Sequence, residues 1–534
     1  MKLDRFKFIT AVILLTVGIF LGTQIDKVFG GDNLIENLRK FNDVLTYTQK
    51  YYVDETDSQK LVESAINGML NELDPHSVYI PAKQMKTVEE EFKGNFEGIG
   101  IEFQIVNDTL TVVSPITGGP SEALGIMAGD RIVKIDKESC IGISNDDVRK
   151  KLRGPAGTKV TVLIYRTGVK DGIEYEITRD KIPLFSVDAS TMLDTKTGYI
   201  SVSRFAEKTT DELVEALESL DKRGMKQLVL DLRNNPGGYL NQAFQIADLF
   251  IEGNKKIVYT RGRRPEFDED YFASVASKYE KVPLIILINR GSASASEIVS
   301  GAVQDWDRGL IIGETSFGKG LVQRQFNLSD GSAVRLTISE YFTPTGRLIQ
   351  RKYTDKKKYY EDLADREEDE GENLDHKTEK DSSRPVFKTE KGRTVYGGGG
   401  ITPDYLVKND KLTNYTVALL RNNVFYLYAL QYIDVNGAKM NKQYGNDLLK
   451  FKSDFKFSGS DEKDFIKFSA SKGASFDQKD FDQEKEYIFL RLKSQIARNY
   501  WKNEGWYSVM IQGDKQVAKA LTLFDKAREI ANLK

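Results

Sequence analysis

A multidomain α/β chain with helical ends is the fold class this sequence predicts, on three observations. Four uniformly apolar runs, GYISVSRF, KQLVLDLR, VPLIILIN and RGLIIG, are separated by helical stretches such as TTDELVEALESLDKRG, the pattern of an α/β layer with a largely parallel sheet. Ahead of them, short alternating runs with glycine punctuation (GIGIEFQIV, LTVVSPI, DRIVKID, TKVTVLIYR, EYEITRD) spell a small β-rich module. At both ends apolar residues recur at helical spacing, first in Leu34, Leu38, Phe41, Val44 and Leu45, later in NYTVALLRNNVFYLYALQYI and EYIFLRLKSQIARNYW.

Taken in order, the chain opens on MKLDRFK, with Lys2, Arg5 and Lys7, followed by an uncharged run from Phe8 to Gly22. That is an export signal. It is short for a spanning helix, yet Val28-Phe29-Gly30 is a poor cleavage site, so an uncleaved anchor over residues 1–30 is expected. The positive start places the remainder outside the cytoplasm, on the periplasmic side of an inner membrane, or free in the periplasm if the segment is cleaved. A helical domain is expected over 31–93, with His76 in the turn LDPHS, and the β-module over 94–180 with one helix in DDVRKKL. The α/β layer spans 181–350, where Thr209 and Glu212 fit a capping box. Residues 351–395 read as an exposed charged insertion in which His376 is solvated, 396–410 as a return to the layer, and 411–534 as a helical region of open role.

Composition excludes several chemistries. Net charge is −2, which gives no basic surface for nucleic acid. Cys140 is the single cysteine and only two histidines exist, so neither a disulfide nor a metal centre is expected, and no cofactor.

The stretch GSASASEIVSGAVQD, Gly291 to Asp305, sets three serines where a strand ends and a helix begins. Ser294 and Glu297 fit a capping box, putting Ser294 at the helix N-cap. Capping alone explains that serine; so does catalysis, because a hydroxyl at such a turn faces the carboxyl edge of the sheet, beside N–H groups that favour developing negative charge. A base decides between them. His76 and His376 are badly placed, and the known substitute is a lysine whose pKa, ordinarily about 10.4, is lowered by desolvation. Lys319, in GETSFGKGLVQ, has small or apolar neighbours on both sides. The phosphate-loop reading of Gly313–Lys319 fails, since Gly320 replaces the required Ser/Thr and a strand follows. DLRNNPGG, residues 231–238, has the glycines that let backbone N–H groups line an active site, although by itself it reads as a turn.

With FEGIGIEF, GDRIVKID, GYISVSRF and GGITPD in the same order, these motifs resemble the C-terminal (tail-specific) processing peptidases, serine endopeptidases with a Ser/Lys dyad and a PDZ domain. The resemblance covers roughly Asn33 to Tyr405. It implies a crotonase/ClpP-like protease core with an inserted PDZ domain, Ser294 as nucleophile, Lys319 as general base and Gln323 as its positioning partner. It implies an oxyanion hole of Ala295 N–H with Gly237 or Gly238, and a loop Gly98-Ile99-Gly100-Ile101 that holds the terminal carboxylate of a peptide. The implied substrates are proteins with free, apolar C-termini, and a homo-oligomer or an activating adaptor is left open. Two other readings compete: a catalytically dead PDZ adaptor, disfavoured by the intact Ser294, Lys319 and Gln323, and a crotonase-like small-molecule enzyme, disfavoured by the PDZ-like module.

Overall fold

The structure is a computed structural model that describes residues 16, 34–274, 276–353, 359, 361, 366, 369–376, 383–445 and 447–533. Two compact units emerge, residues 1–79 and 80–534. The first contains the helices Leu34–Tyr51 and Ser58–Asn71. LDPHS closes on Asp74, whose carboxylate accepts the N–H groups of His76 and Ser77 at 2.8 and 2.9 Å, so His76 is a turn residue. Apart from Thr16, the apolar run Phe8–Gly22 lies outside the described residues; among those described, no helix is long and apolar enough to cross a membrane.

The larger unit is organised by a seven-stranded sheet in the order Val187–Met192, Thr197–Val202, Gln227–Asp231, Leu284–Ile288, Leu310–Gly313, Tyr405–Leu406, Gly371–Glu372. The inner five strands are parallel and the two edge strands antiparallel to their neighbours. Side chains alternate between faces. Leu228, Leu230, Ile286, Ile288 and Ile311 meet the helices Thr209–Lys222, Leu240–Asp248 and Ala295–Asp305. Val229, Ile285, Leu287, Leu310 and Ile312 point the other way, onto Val517, Ala520, Phe524, Ala527 and Ile530 of the helices Lys515–Thr522 and Phe524–Ile530. Burial on both faces is why these runs are uniformly apolar. The last helices of the chain, whose role its sequence leaves open, thus serve to cover one face of the sheet.

The β-module packs Leu110, Val112, Ile132, Val160 and Val162 around Cys140. It joins the layer through a ribbon, Asn95–Gly98 paired antiparallel with Asp180–Pro183, so entry and exit run side by side. The helix Asn145–Leu152 is capped by Ser144, which accepts Asp147 N–H at 3.2 Å. Beyond the layer, the helices Asn414–Arg421 and Val424–Tyr444 part at Asn423 (φ 54°), and the long helix Gln478–Met510 packs against both.

Two expectations are corrected. His376 is not solvated: it is 1 % exposed, its ring facing Tyr396 and its Nε2 4.0 Å from Asp404 Oδ1. The charge-rich composition misleads because part of this segment folds inward, Gly371–Glu372 adding the edge strand and half-buried Arg393 bridging the buried Asp307 and Asp404 at 2.6 Å each. The Thr209–Glu212 capping box does not form either. Thr209 is already helical, its hydroxyl accepting Ala206 N–H at 2.8 Å, while Glu212 reaches across to the N–H groups of Ser186 and Val187.

Candidate active site

The strand Leu284–Ile288 delivers the chain to a turn from which Ala295–Asp305 departs as a helix buried on every side. Two of the three serines fasten that turn to the neighbouring loop. Ser292 Oγ donates to Leu232 O at 2.8 Å, and Ser296 Oγ donates to Asn235 O at 2.9 Å. Ser294 is different: it is half-buried and has φ 54°, ψ −112°, a conformation costing a residue with a Cβ about 1–3 kcal/mol. Its box with Glu297 is present, Ser294 N–H reaching Glu297 Oε2 at 2.8 Å, but the hydroxyl makes no capping hydrogen bond of ordinary geometry.

Glu297 does far more than cap. Its carboxylate is fully buried and also accepts Lys319 N–H (2.9 Å, on Oε2), Gly318 N–H (2.7 Å, on Oε1) and the Ser316 hydroxyl. One carboxylate thus holds the backbones of Ser294 and Lys319 together. Burial outweighs these donors and pushes the carboxyl up to about 7. Tyr341 adds a second tie, its hydroxyl lying between Lys319 O (2.7 Å) and Ser294 O (3.0 Å). Lys319 is half-buried and its Nζ donates to Gln323 Oε1 at 2.8 Å. The flanking glycines are required by close approach: a Cβ on Gly318 (φ +87°) would meet Arg351 Cγ at 2.5 Å, and one on Gly320 would meet Gln350 N at 2.9 Å.

The third element is the loop after the strand Gln227–Asp231. Asn235 is fully buried; its Nδ2 donates to Val202 O and its Oδ1 accepts Gly237 N–H at 2.9 Å. Gly237 N–H is therefore committed, whereas Gly238 N–H and Ala295 N–H make no hydrogen bond among the described residues. A Cβ on Gly237 would lie 2.8 Å from Ser294 Cβ and 2.9 Å from Ala295 N, and one on Gly238 would sit 2.1 Å from Phe205 O.

Ser294, Lys319, Gln323, Gly237 and Gly238 all line one open cleft of about 540 Å³. Its lining combines the apolar Val88 and Phe92 of the helix Ala82–Lys93, Leu240, Ile298 and Leu321 with the charged Glu89, Lys93 and Arg335. Neither His76 nor His376 borders it. Gly98-Ile99-Gly100-Ile101 lies elsewhere, in the β-module, where Ile99 O accepts both N–H and Oγ of Ser121 (3.1 and 2.6 Å) and Gly100 has φ +74°. The motifs reveal Glu297 only as a capping partner, not its hold on the Lys319 loop, and they do not reveal Tyr341. A signal for Glu297 exists in the sequence: a carboxylate in the first turn of a helix, directly before the apolar pair Ile298 and Val299, needs partners if that turn is buried. Tyr341 carries no such signal, because its neighbours come from distant stretches.

Fold and cleft define a serine-type peptidase carrying a PDZ domain: residues 196–357 match peptidase family S41 and residues 111–166 match the PDZ domain. Residues 23–84 match the N-terminal domain of the activating protease CtpB, and 415–502 match a family of unknown function. The carboxy-terminal-processing protease of Bartonella bacilliformis is 40% identical over 347 residues, 64% of this chain and 79% of that protein. Carboxy-terminal processing protease CtpA of Bacillus subtilis is 36% identical over 364 residues, 66% of this chain and 75% of that one. Among solved structures, the photosystem II D1 C-terminal processing protease aligns at 30% identity over 57% of this chain and 88% of its own, with a TM-score of 0.33. The chain belongs to the carboxy-terminal-processing proteases.

Proposed function

We propose that this protease cleaves peptide bonds with a Ser294–Lys319 dyad and selects substrates by their free C-termini. The observation that carries the reading is the shared cleft: Ser294, Lys319 and Gln323 border one cavity beside Gly237 and Gly238. Neutral Lys319 accepts the hydroxyl proton as Ser294 Oγ attacks the peptide carbonyl; the resulting ammonium protonates the leaving amine, and water then resolves the acyl-enzyme. Gln323 fixes the amine by accepting its hydrogen bond. The oxyanion takes the N–H groups of Ala295 and Gly238, the two left without partners, in preference to Gly237, whose N–H is occupied by Asn235.

At the PDZ domain, Gly98-Ile99-Gly100-Ile101 receives the substrate's terminal carboxylate while an apolar tail adds as a strand beside Ile101–Val106, an edge strand of its sheet. Phe8–Gly22 anchors the enzyme with its catalytic part on the extracytoplasmic side. The test is cleavage of an unfolded protein with an apolar C-terminus by the parent, Ser294→Ala and Lys319→Ala. Both variants should be inactive and the parent's rate should rise with pH as Lys319 loses its proton; equal cleavage by all three overturns the dyad.

A further inference from the structure

The loop that lines the cleft is held from behind by the C-terminal region, outside the stretch that matches the peptidase family. Arg233 stands in that loop. Its guanidinium grips Asp231 through Nε and Nη2 (2.6 to 3.0 Å) and also reaches the C-terminal segment: Nη2 to Asp514 Oδ2 at 2.7 Å and Nη1 to Gln516 Oε1 at 2.8 Å. Gln516 is fully buried, and its own amide donates to Val407 O at 2.7 Å. Asp514 caps the helix Lys515–Thr522, whose apolar face covers the sheet. A planar fork with donors fixed on both sides has little freedom to shift, so the position of Arg233 is set as much by residues 514 and 516 as by its own loop.

The same segment begins on the PDZ domain. The long helix Gln478–Met510 is broken at Trp501 and at Lys502, which has φ 53° and ψ −143°. At that break Lys502 Nζ pairs with Glu122 and donates to Thr117 Oγ1 at 3.0 Å. Glu122 and Thr117 flank Ser121, whose hydroxyl holds Ile99 O at 2.6 Å; Ile116 N–H holds Gly100 O at 2.9 Å. These are the backbone supports of the peptide-carboxylate loop. Between the two ends, Tyr507 OH reaches Asp188 on the edge strand Val187–Met192 at 3.2 Å.

We propose that Lys502–Gln516 is a strut: Asp514 and Gln516 position the oxyanion loop through Arg233, and Lys502 ties the strut to the turn that supports the PDZ loop. A tail held at the PDZ domain and the reactivity of Ser294 are thereby coupled through one short covalent stretch. These residues touch no substrate; they act by placing Gly238. The inference rests on the readings of Ser294, Gly238 and the PDZ loop given above.

The experiment uses the full chain and two readouts that a purely structural role leaves unmoved: the rate at which a fluorophosphonate labels Ser294, and kcat against KM. Asp514→Asn keeps a good helix cap and removes the charge. Removing an oxyanion donor outright costs about 10²–10³ in kcat, so a displaced one should slow labelling and kcat roughly 5- to 50-fold, with KM unchanged. Arg233→Lys, which keeps charge but loses the fork, should give the same signature if Asp514→Asn fails to fold. For the coupling, labelling is measured with and without a peptide ending in a free apolar carboxylate, the amidated peptide serving as control. The parent should respond to the free acid only, and Lys502→Gln and Glu122→Gln should each lose more than half of that response. Parent-like labelling and kcat in Asp514→Asn, or a parent that ignores the peptide, overturns the strut. Labelling that survives in Ser294→Ala instead overturns the dyad, so the two failures are distinguishable.

Discussion

Replacing Glu297 by Gln tests whether one buried carboxylate assembles the candidate dyad. Two donors face each oxygen: Ser294 and Lys319 N–H on Oε2, Gly318 N–H and the Ser316 hydroxyl on Oε1. An amide can keep only one side. Turning its NH₂ towards Ser316 is cheaper, since a hydroxyl can rotate to accept, but Gly318 N–H is then left facing a donor. A buried donor without a partner costs about 1–3 kcal/mol. If about 2 kcal/mol of that is expressed in the transition state, because Lys319 follows Gly318 directly, kcat falls about 30-fold. KM should hardly change, as the substrate does not meet Glu297. Fluorogenic peptide cleavage and fluorophosphonate labelling read the loss. Thermal melts over pH add a second check, because Glu297 titrates near 7 in the fold against 4.5 in its ordinary state. A raised pKa means the folded chain holds the proton more tightly, so the group's contribution is full below 4.5 and disappears as pH rises through about 7. Gln cannot titrate, so the stability advantage of the parent over Glu297→Gln should narrow over that window. Parent-like kcat and labelling in the variant would refute the reasoning.

Two further outcomes are expected. Gly237→Ala would place a Cβ 2.7 Å from Ala293 O and 2.8 Å from Ser294 Cβ at φ +97°, so activity should fall about 100-fold, as misplacement of reacting groups by ~1 Å can do; near-parent kcat would contradict the packing. His376 is held neutral, its pKa pushed by burial from 6.5 to about 4. The lowered folded value means its contribution is present above 6.5 and lost as pH falls through about 4, and His376→Leu should remove about 3 kcal/mol of that acid sensitivity in urea melts at pH 7 and 4. An unchanged difference between the two pH values would count against the burial.

Much of the layer was legible because its signals are local. A strand buried on both faces has to be apolar throughout, which is how Leu284–Ile288 and Leu310–Gly313 stand out from the residues around them. Ser294 and Lys319 stand out as candidates in the same local way, one by its place between strand and helix, the other by two glycines whose small size the packing against Arg351 and Gln350 demands. The segment around His376 was misread for the converse reason. Charges that pair with one another, as Arg393 does with Asp307 and Asp404, leave the same composition as charges in water.

Sequence alone determined the order of elements, the family and a small set of candidate residues for the chemistry, since periodicity, turn residues and motif spacing are properties of neighbours along the chain. Only the tertiary structure decided what holds those residues in place. Glu297 meets Lys319, Tyr341 meets Ser294, and Arg233 meets Asp514 and Gln516 across long separations in the chain. Such buried polar contacts depend on the folded path of the backbone, and hydrogen bonding that must be satisfied away from water is written in three dimensions, with no period in one.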